Sequence, residues 1–122
     1  MAEAKATRDQ ERAQAAYARV DAALKKGEHA GYKSECMHLP ALIHQCGLCQ
    51  ALAFLDAKGA GGKRYFHQLL EDVAGVSRLA ESREKLTAKA RTAGVQEYQR
   101  MTAETMACAQ WLKRYAEALL KD

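Results

Sequence analysis

One stripe near the C-terminal end of the chain restricts the fold more than any other feature. Tyr98, Met101, Thr105, Cys108, Leu112, Tyr115 and Leu119 recur at alternating spacings of three and four residues. That period belongs to a helix, and a stripe this long faces a partner helix. It predicts a final helix over residues 95–120, with Thr102 followed by Glu104 as a point of re-capping and interruption. The rest of the chain is equally unfriendly to strands. Four Val, one Ile and five Thr among 122 residues leave few side chains that suit a pleated sheet, and a single Pro leaves long helices unbroken. The expectation is an all-α fold: one domain over residues 1–122, a compact bundle of about five helices with a buried central helix.

Upstream, residues 3–26 read as a first helix, with Ala13, Ala16, Tyr17, Val20 and Leu24 as its apolar stripe. Gly27 and Gly31 bracket a break. A second helix is predicted from near Pro40 to Ala57, because Pro is tolerated in a first turn. It is apolar on two sides: Leu42, Cys46, Cys49 and Ala53 on one, Leu48, Leu52 and Leu55 on the other. A helix apolar nearly all round is buried, which makes this the expected hub, with Gly47 inside it marking close approach of a neighbour. Lys58-Gly59-Ala60-Gly61-Gly62 reads as a flexible loop. Further helices are expected over 63–76, with Tyr65, Phe66, Leu69, Leu70 and Val73 inward, and over 78–91, anchored by Leu79 and Leu86. The expected core includes Leu42, Cys46, Ala53, Leu112 and Tyr115.

The formal charge of +4 is modest, so its distribution carries more information than its sum. Residues 58–67 hold three cations and no acid, and residues 78–91 hold five cations against two acids, whereas 34–57 and 68–77 are each net −2. Clustered positive charge on a balanced chain is the pattern a polyanion partner selects. The candidate contacts are Lys25, Lys26 and Lys33 around the first break, Lys58, Lys63 and Arg64 around the glycine segment, and Arg114, which points off the final stripe. Tyr98 and Trp111 fit a core better than a stacking platform. The N-terminus lacks a secretory pattern, and no apolar run is long enough for a membrane span, so a cytoplasmic protein with four reduced thiols is expected. Asparagine is absent, as befits a protein built for high temperature.

Catalytic chemistry is hard to assemble from this sequence. Cys46-x-x-Cys49, with Cys36, His38 and His44 nearby, could supply zinc ligands, but zinc ribbons hold such pairs on turns. Here both cysteines fall in an apolar helical pattern, where a free thiol is a small buried hydrophobe. No metal and no cofactor are expected. His67 and His44 lack a nucleophile or carboxylate at a telling spacing, and adjacent Glu71 and Asp72 diverge on a helix. Gly59-Ala60-Gly61-Gly62-Lys63-Arg64 lacks Walker spacing and a preceding strand, although a basic loop at a helix N-terminus can hold a backbone phosphate. An enzyme is not expected.

Two segments together resemble a known family. Leu39-Pro40-Ala41-Leu42-Ile43, Gly47-Leu48 and Leu52-Ala53-Phe54-Leu55 with Lys58 are similar to a central signature of the small, all-helical subunit of the type III-B CRISPR Cmr complex. Tyr98 with Thr102-Ala103-Glu104, then Trp111-Leu112-Lys113-Arg114-Tyr115-Ala116-Glu117, resembles its C-terminal signature. The resemblance implies a non-catalytic part in antiviral defence. Copies of such a subunit stack as a minor filament beside the subunits that carry the guide RNA, and a basic surface lines the path of the target RNA. Expected partners are therefore other Cmr subunits, further copies of this chain, and target and guide RNA, with no membrane. The alternative is a helical protein–protein adaptor without RNA binding, its basic clusters merely solubilising.

Overall fold

The computed structural model describes residues 5–121, and among them there are six helices and no strand. They are α1 (Arg8–Lys26), α2 (Ala30–Cys46), α3 (Leu48–Ala60), α4 (Arg64–Ser77), α5 (Arg83–Thr92) and α6 (Val95–Leu119). The start of α1 is specified locally. Thr7 Oγ1 accepts from the Gln10 amide at 3.0 Å while Gln10 Oε1 accepts from the Thr7 amide at 2.8 Å, a reciprocal cap that satisfies two otherwise unpaired donors. Its end is set by Gly27 at φ 94°, a backbone conformation that a Cβ disfavours. Ser82 caps α5 through a single bond, its hydroxyl accepting from the Lys85 amide at 3.2 Å.

The all-α expectation holds, and the stripe on α6 is the seam it was read to be. Met101, Thr105, Cys108 and Leu112 are buried, while Tyr98, Tyr115 and Leu119 lie half-buried at its edges. α6 packs chiefly against α1 and α2. Thr102 does not interrupt it: its hydroxyl donates to the Tyr98 carbonyl at 2.9 Å, a bond made inside an intact helix.

The second predicted helix is instead two. α2 begins ten residues earlier than Pro40 and runs through it, forgoing one main-chain bond because Leu39, Pro40 and Ile43 are all buried on the same side. The break falls at Gly47, whose φ of 82° ends α2 and opens α3. This corner changes which residues face inward. Leu48, Leu52 and Leu55 are fully buried, so they are not free for contacts between subunits, and Cys46 and Ala53 are exposed, not core. Leu42 is half-buried against the core, as is Tyr115. The hub is α4, which touches each of the other five helices and buries Phe66, Leu69, Leu70, Val73, Ala74 and Val76.

The glycine segment is shorter than expected. Gly59 and Ala60 complete α3, and Gly59 is buried beneath the His67 ring, where a Cβ would collide with it. Only residues 61–63 remain as a turn before α4.

Candidate nucleic-acid interface

Three of the chain's cations meet in one place. α1, α2 and α4 enclose a cavity of about 430 Å³ whose lining includes Arg19, Lys26, Tyr32, Arg64, Tyr65 and Asp72. Lys26 lies at the C-terminal end of α1 and Arg64 opens α4, so two of the predicted contacts, well separated in sequence, share one rim. Among the described residues neither makes an ion pair, although Lys26 Nζ reaches Gln68 Oε1 at 3.5 Å. Arg64 sits on a helix start that no side chain caps, where free amides and the helix dipole favour an anion.

The floor of this cavity lies outside the residues nominated from the sequence. Asp72 is 2% exposed and accepts from Tyr32 Oη at 2.5 Å, Gln68 Nε2 at 3.0 Å and Arg19 Nη1 at 3.2 Å. Burial raises its pKa, and the bonds from Tyr32, Gln68 and Arg19 act against that rise by favouring the charged form. Desolvation also holds the Tyr32 hydroxyl protonated. One signal for Arg19 was present: it precedes Lys26 by seven residues, two turns along the same face of α1. Nothing local could have flagged Tyr32, because it is joined to Asp72 only by the packing of α2 on α4.

The other candidates are dispersed. Lys25 is exposed and pairs with Asp21 at 3.0 Å, a contact that raises its pKa. Lys33 is half-buried in the first turns of α2. Lys58 is exposed at the end of α3, with its Nζ 5.5 Å from the centroid of the Phe54 ring. Lys63 is exposed immediately before α4. Arg114 belongs to a separate shallow cavity of about 330 Å³ beside Asp9 and Trp111. The basic run over 78–91 is largely neutralised within the fold. Arg78 pairs with Glu11, Arg83 with Asp56 and Glu71, Lys85 with Glu81, and Lys89 with Glu97.

Comparison with known proteins gives this arrangement a context. Residues 8–119 match the family described as CRISPR-associated protein (Cas_Cmr5). A curated relative, the CRISPR system Cmr subunit Cmr5 of Thermus thermophilus, is 40% identical over 116 residues, spanning 95% of this chain and 98% of the relative. The chain belongs to the Cas_Cmr5 family. A crystal structure of a CRISPR-associated Cmr5 family protein, also from Thermus thermophilus, superposes with a TM-score of 0.87 at 41% identity, covering 96% of this chain and 100% of that one.

The polar chemistry elsewhere in this Cmr5-family chain reads as architecture. Glu104 on α6 receives Arg8 Nη2 at 2.7 Å, Arg12 Nε at 2.8 Å and Arg12 Nη2 at 2.6 Å, fastening α1 to α6. The Arg12 bonds hold the Glu104 carboxyl below its ordinary range. Trp111 is half-buried, stacks on Tyr115 with centroids 5.6 Å apart, and donates its indole N–H to Asp9 Oδ1 at 3.0 Å. Tyr98 Oη accepts from the Cys49 amide at 2.9 Å, bracing the α2–α3 corner. Cys36 and Cys108 are buried, and burial pushes each thiol up to about 12, far from the thiolate that binds metal. Cys46, expected inside an apolar helix, is exposed at the end of α2, with Cys49 half-buried beyond the corner. Among the described residues no three His, Cys, Asp or Glu side chains gather as a metal site. His67 does have a carboxylate neighbour: its Nε2 lies 3.1 Å from Asp56 Oδ1, and Arg83 shares that oxygen at 3.0 Å. No described helix is long and apolar enough to cross a membrane.

Proposed function

We propose that this chain is the small, non-catalytic subunit of a type III-B CRISPR Cmr complex, which contacts the target RNA backbone through its basic residues. The family match over residues 8–119 and the role of the Thermus relative as a Cmr subunit support its place in such a complex. The observation that carries the RNA contact is the convergence of Lys26 and Arg64, without ion pairs among the described residues, on the rim of one cavity beside Arg19. A subunit that serves any target should touch phosphates, since Lys and Arg contacts to them carry no sequence information. Lys58 and Lys63 shortly precede Arg64 in sequence; Lys25, Lys33 and Arg114 are the outlying candidates. Copies of the chain then line up along the strand, each adding a few contacts at high effective concentration. With the α3 leucines buried, the exposed side of that helix, carrying Ala53 and Phe54, is the apolar surface available for such stacking. The setting is the cytoplasm, where guide and target RNA meet.

The test is target capture by the assembled complex, measured across a range of salt concentrations. Lys26→Glu with Arg64→Glu should weaken capture and flatten its salt dependence, and Lys58→Glu with Lys63→Glu should add to that effect. Lys25→Glu with Lys33→Glu should matter less, given the Asp21 pair and the partial burial of Lys33. Isolated protein should bind RNA weakly and leave it uncut. If none of these charge reversals alters capture at any salt, the basic residues are ordinary surface and the adaptor alternative stands.

A further inference from the structure

We propose that the cavity between α1, α2 and α4 is a site for one whole nucleotide, its phosphate at the cationic rim and its base against the walls above Asp72. This rests on the RNA-binding reading and narrows it from a charged surface to a shaped pocket. At about 430 Å³ the cavity falls in the range of small-ligand sites, far larger than a lone phosphate requires.

Its walls are fixed before any ligand arrives. Tyr65 stacks on Phe66 with centroids 4.8 Å apart and lies so close to Gly31 that a Cβ there would sit 2.6 Å from its ring. Ala22 and Ala23 supply small apolar neighbours on the α1 side, leaving a slot that a flat base can enter. Arg19, which lies close against Gly75, is held by its bond to Asp72.

The charge pattern selects the ligand class. Arg19, Lys26 and Arg64 face Glu28 and Asp72, so three cations against two carboxylates leave one net positive charge. That balances the single negative charge of a phosphodiester, comes within about one charge of a free monophosphate, and is a poor match for a triphosphate. Asp72 is 2% exposed, with Oδ1 accepting from Arg19 and Gln68 and Oδ2 from Tyr32, so it fixes the floor of the cavity and is not itself open to a ligand. The base is therefore held by apolar contact with Tyr65 and Ala22, which line the cavity and are not sealed off from it, and each of the four RNA bases has a flat face to offer. Recognition of this kind accepts any base yet requires that a base be present.

The shared chemistry is a nucleotide, drawn from the RNA strand or from the free pool. The full chain is titrated with each of the four nucleoside monophosphates, with inorganic phosphate and with ATP, following amide chemical shifts. Saturable shifts at cavity residues are expected for all four monophosphates, with phosphate alone and ATP each weaker by about tenfold or more. Ala22→Phe, at an exposed helical position, should fill the slot and abolish these shifts while every charge remains; the Lys26→Ala, Arg64→Ala double variant should do the same by removing the rim. In the assembled complex, a cross-link from thiouridine-substituted target RNA to the Tyr65 peptide, lost in Ala22→Phe, identifies the strand as the source. Monophosphate binding without that cross-link identifies the free nucleotide. If phosphate binds as tightly as the monophosphates, or no saturable cavity shift occurs at millimolar concentrations, the nucleotide site is refuted. Because Ala22→Phe keeps every cation, that failure is separate from failure of the RNA reading, which the charge reversals report.

Discussion

Glu104→Gln tests the clamp between α1 and α6 with little change in shape. The carboxylate receives three short bonds, from Arg8 Nη2 at 2.7 Å and from Arg12 Nε and Nη2 at 2.8 and 2.6 Å. Hydrogen bonds to charged groups contribute about 1.5–3 kcal/mol each, but they do not simply add. Gln can still accept through its carbonyl, while its amide presents donors to an arginine that also donates. The Arg8 and Arg12 side chains are 33% and 18% exposed, so water recovers part of their solvation when the pair relaxes. A net loss of about 2–3 kcal/mol at neutral pH is expected. The pH dependence has a definite sign. The folded-state pKa of Glu104 is lowered from 4.5, so its stabilisation is present above that value and fades as pH falls through the lowered one. Urea unfolding followed by circular dichroism, at neutral and at acidic pH, measures both effects. A difference below about 0.5 kcal/mol at neutral pH would refute the clamp. So would a difference that stays undiminished in acid.

Leu112→Ala removes three carbons from a fully buried site on α6 and should cost about 2–5 kcal/mol in urea unfolding, whereas Leu24→Ala, at a partly exposed site, should cost well under that. Gly59→Ala places a methyl against the His67 ring and should lower stability by about 1–3 kcal/mol, read as a lower melting temperature; an unchanged melt would show that the ring moves aside freely. Chelator should leave helicity intact, and elemental analysis returning about one zinc per chain would overturn the assignment of Cys46 and Cys49 as free thiols.

What could be read from the sequence follows from what is local. The α6 stripe was legible because seven positions obey one period, and the Gly27 break because a glycine follows two lysines at a helix end. The α2–α3 corner was not, since apolar residues continue on both sides of Gly47 and its positive φ leaves no mark in composition. Without that corner both apolar sides read as buried, whereas only the side carrying Leu48, Leu52 and Leu55 faces inward and Ala53 is exposed. Pro40 misled for a related reason: the rule that places Pro in a first turn yields when burial of its neighbours outweighs one missing bond. At the cavity, Lys26 and Arg64 could be nominated from charge, but Asp72 and Tyr32 depend on a bond between α2 and α4.

The clamp between the first and last helices also sets when the chain can fold. The apolar face of α1, carrying Ala16, Val20 and Ala23, and its cations Arg8 and Arg12 find their partners largely on α6. During synthesis α1 emerges before α6 and, with only its α4 contacts available, stays incompletely covered until residues 95–119 leave the ribosome. Closure over so long a separation is the slow kind of event in a helical protein, because the loop entropy precedes the reward. The assembly pathway therefore has a built-in order. Nascent chains lacking α6 should remain open to chaperones and proteases, and only a chain that has released its last helix can become a rigid, cavity-bearing unit.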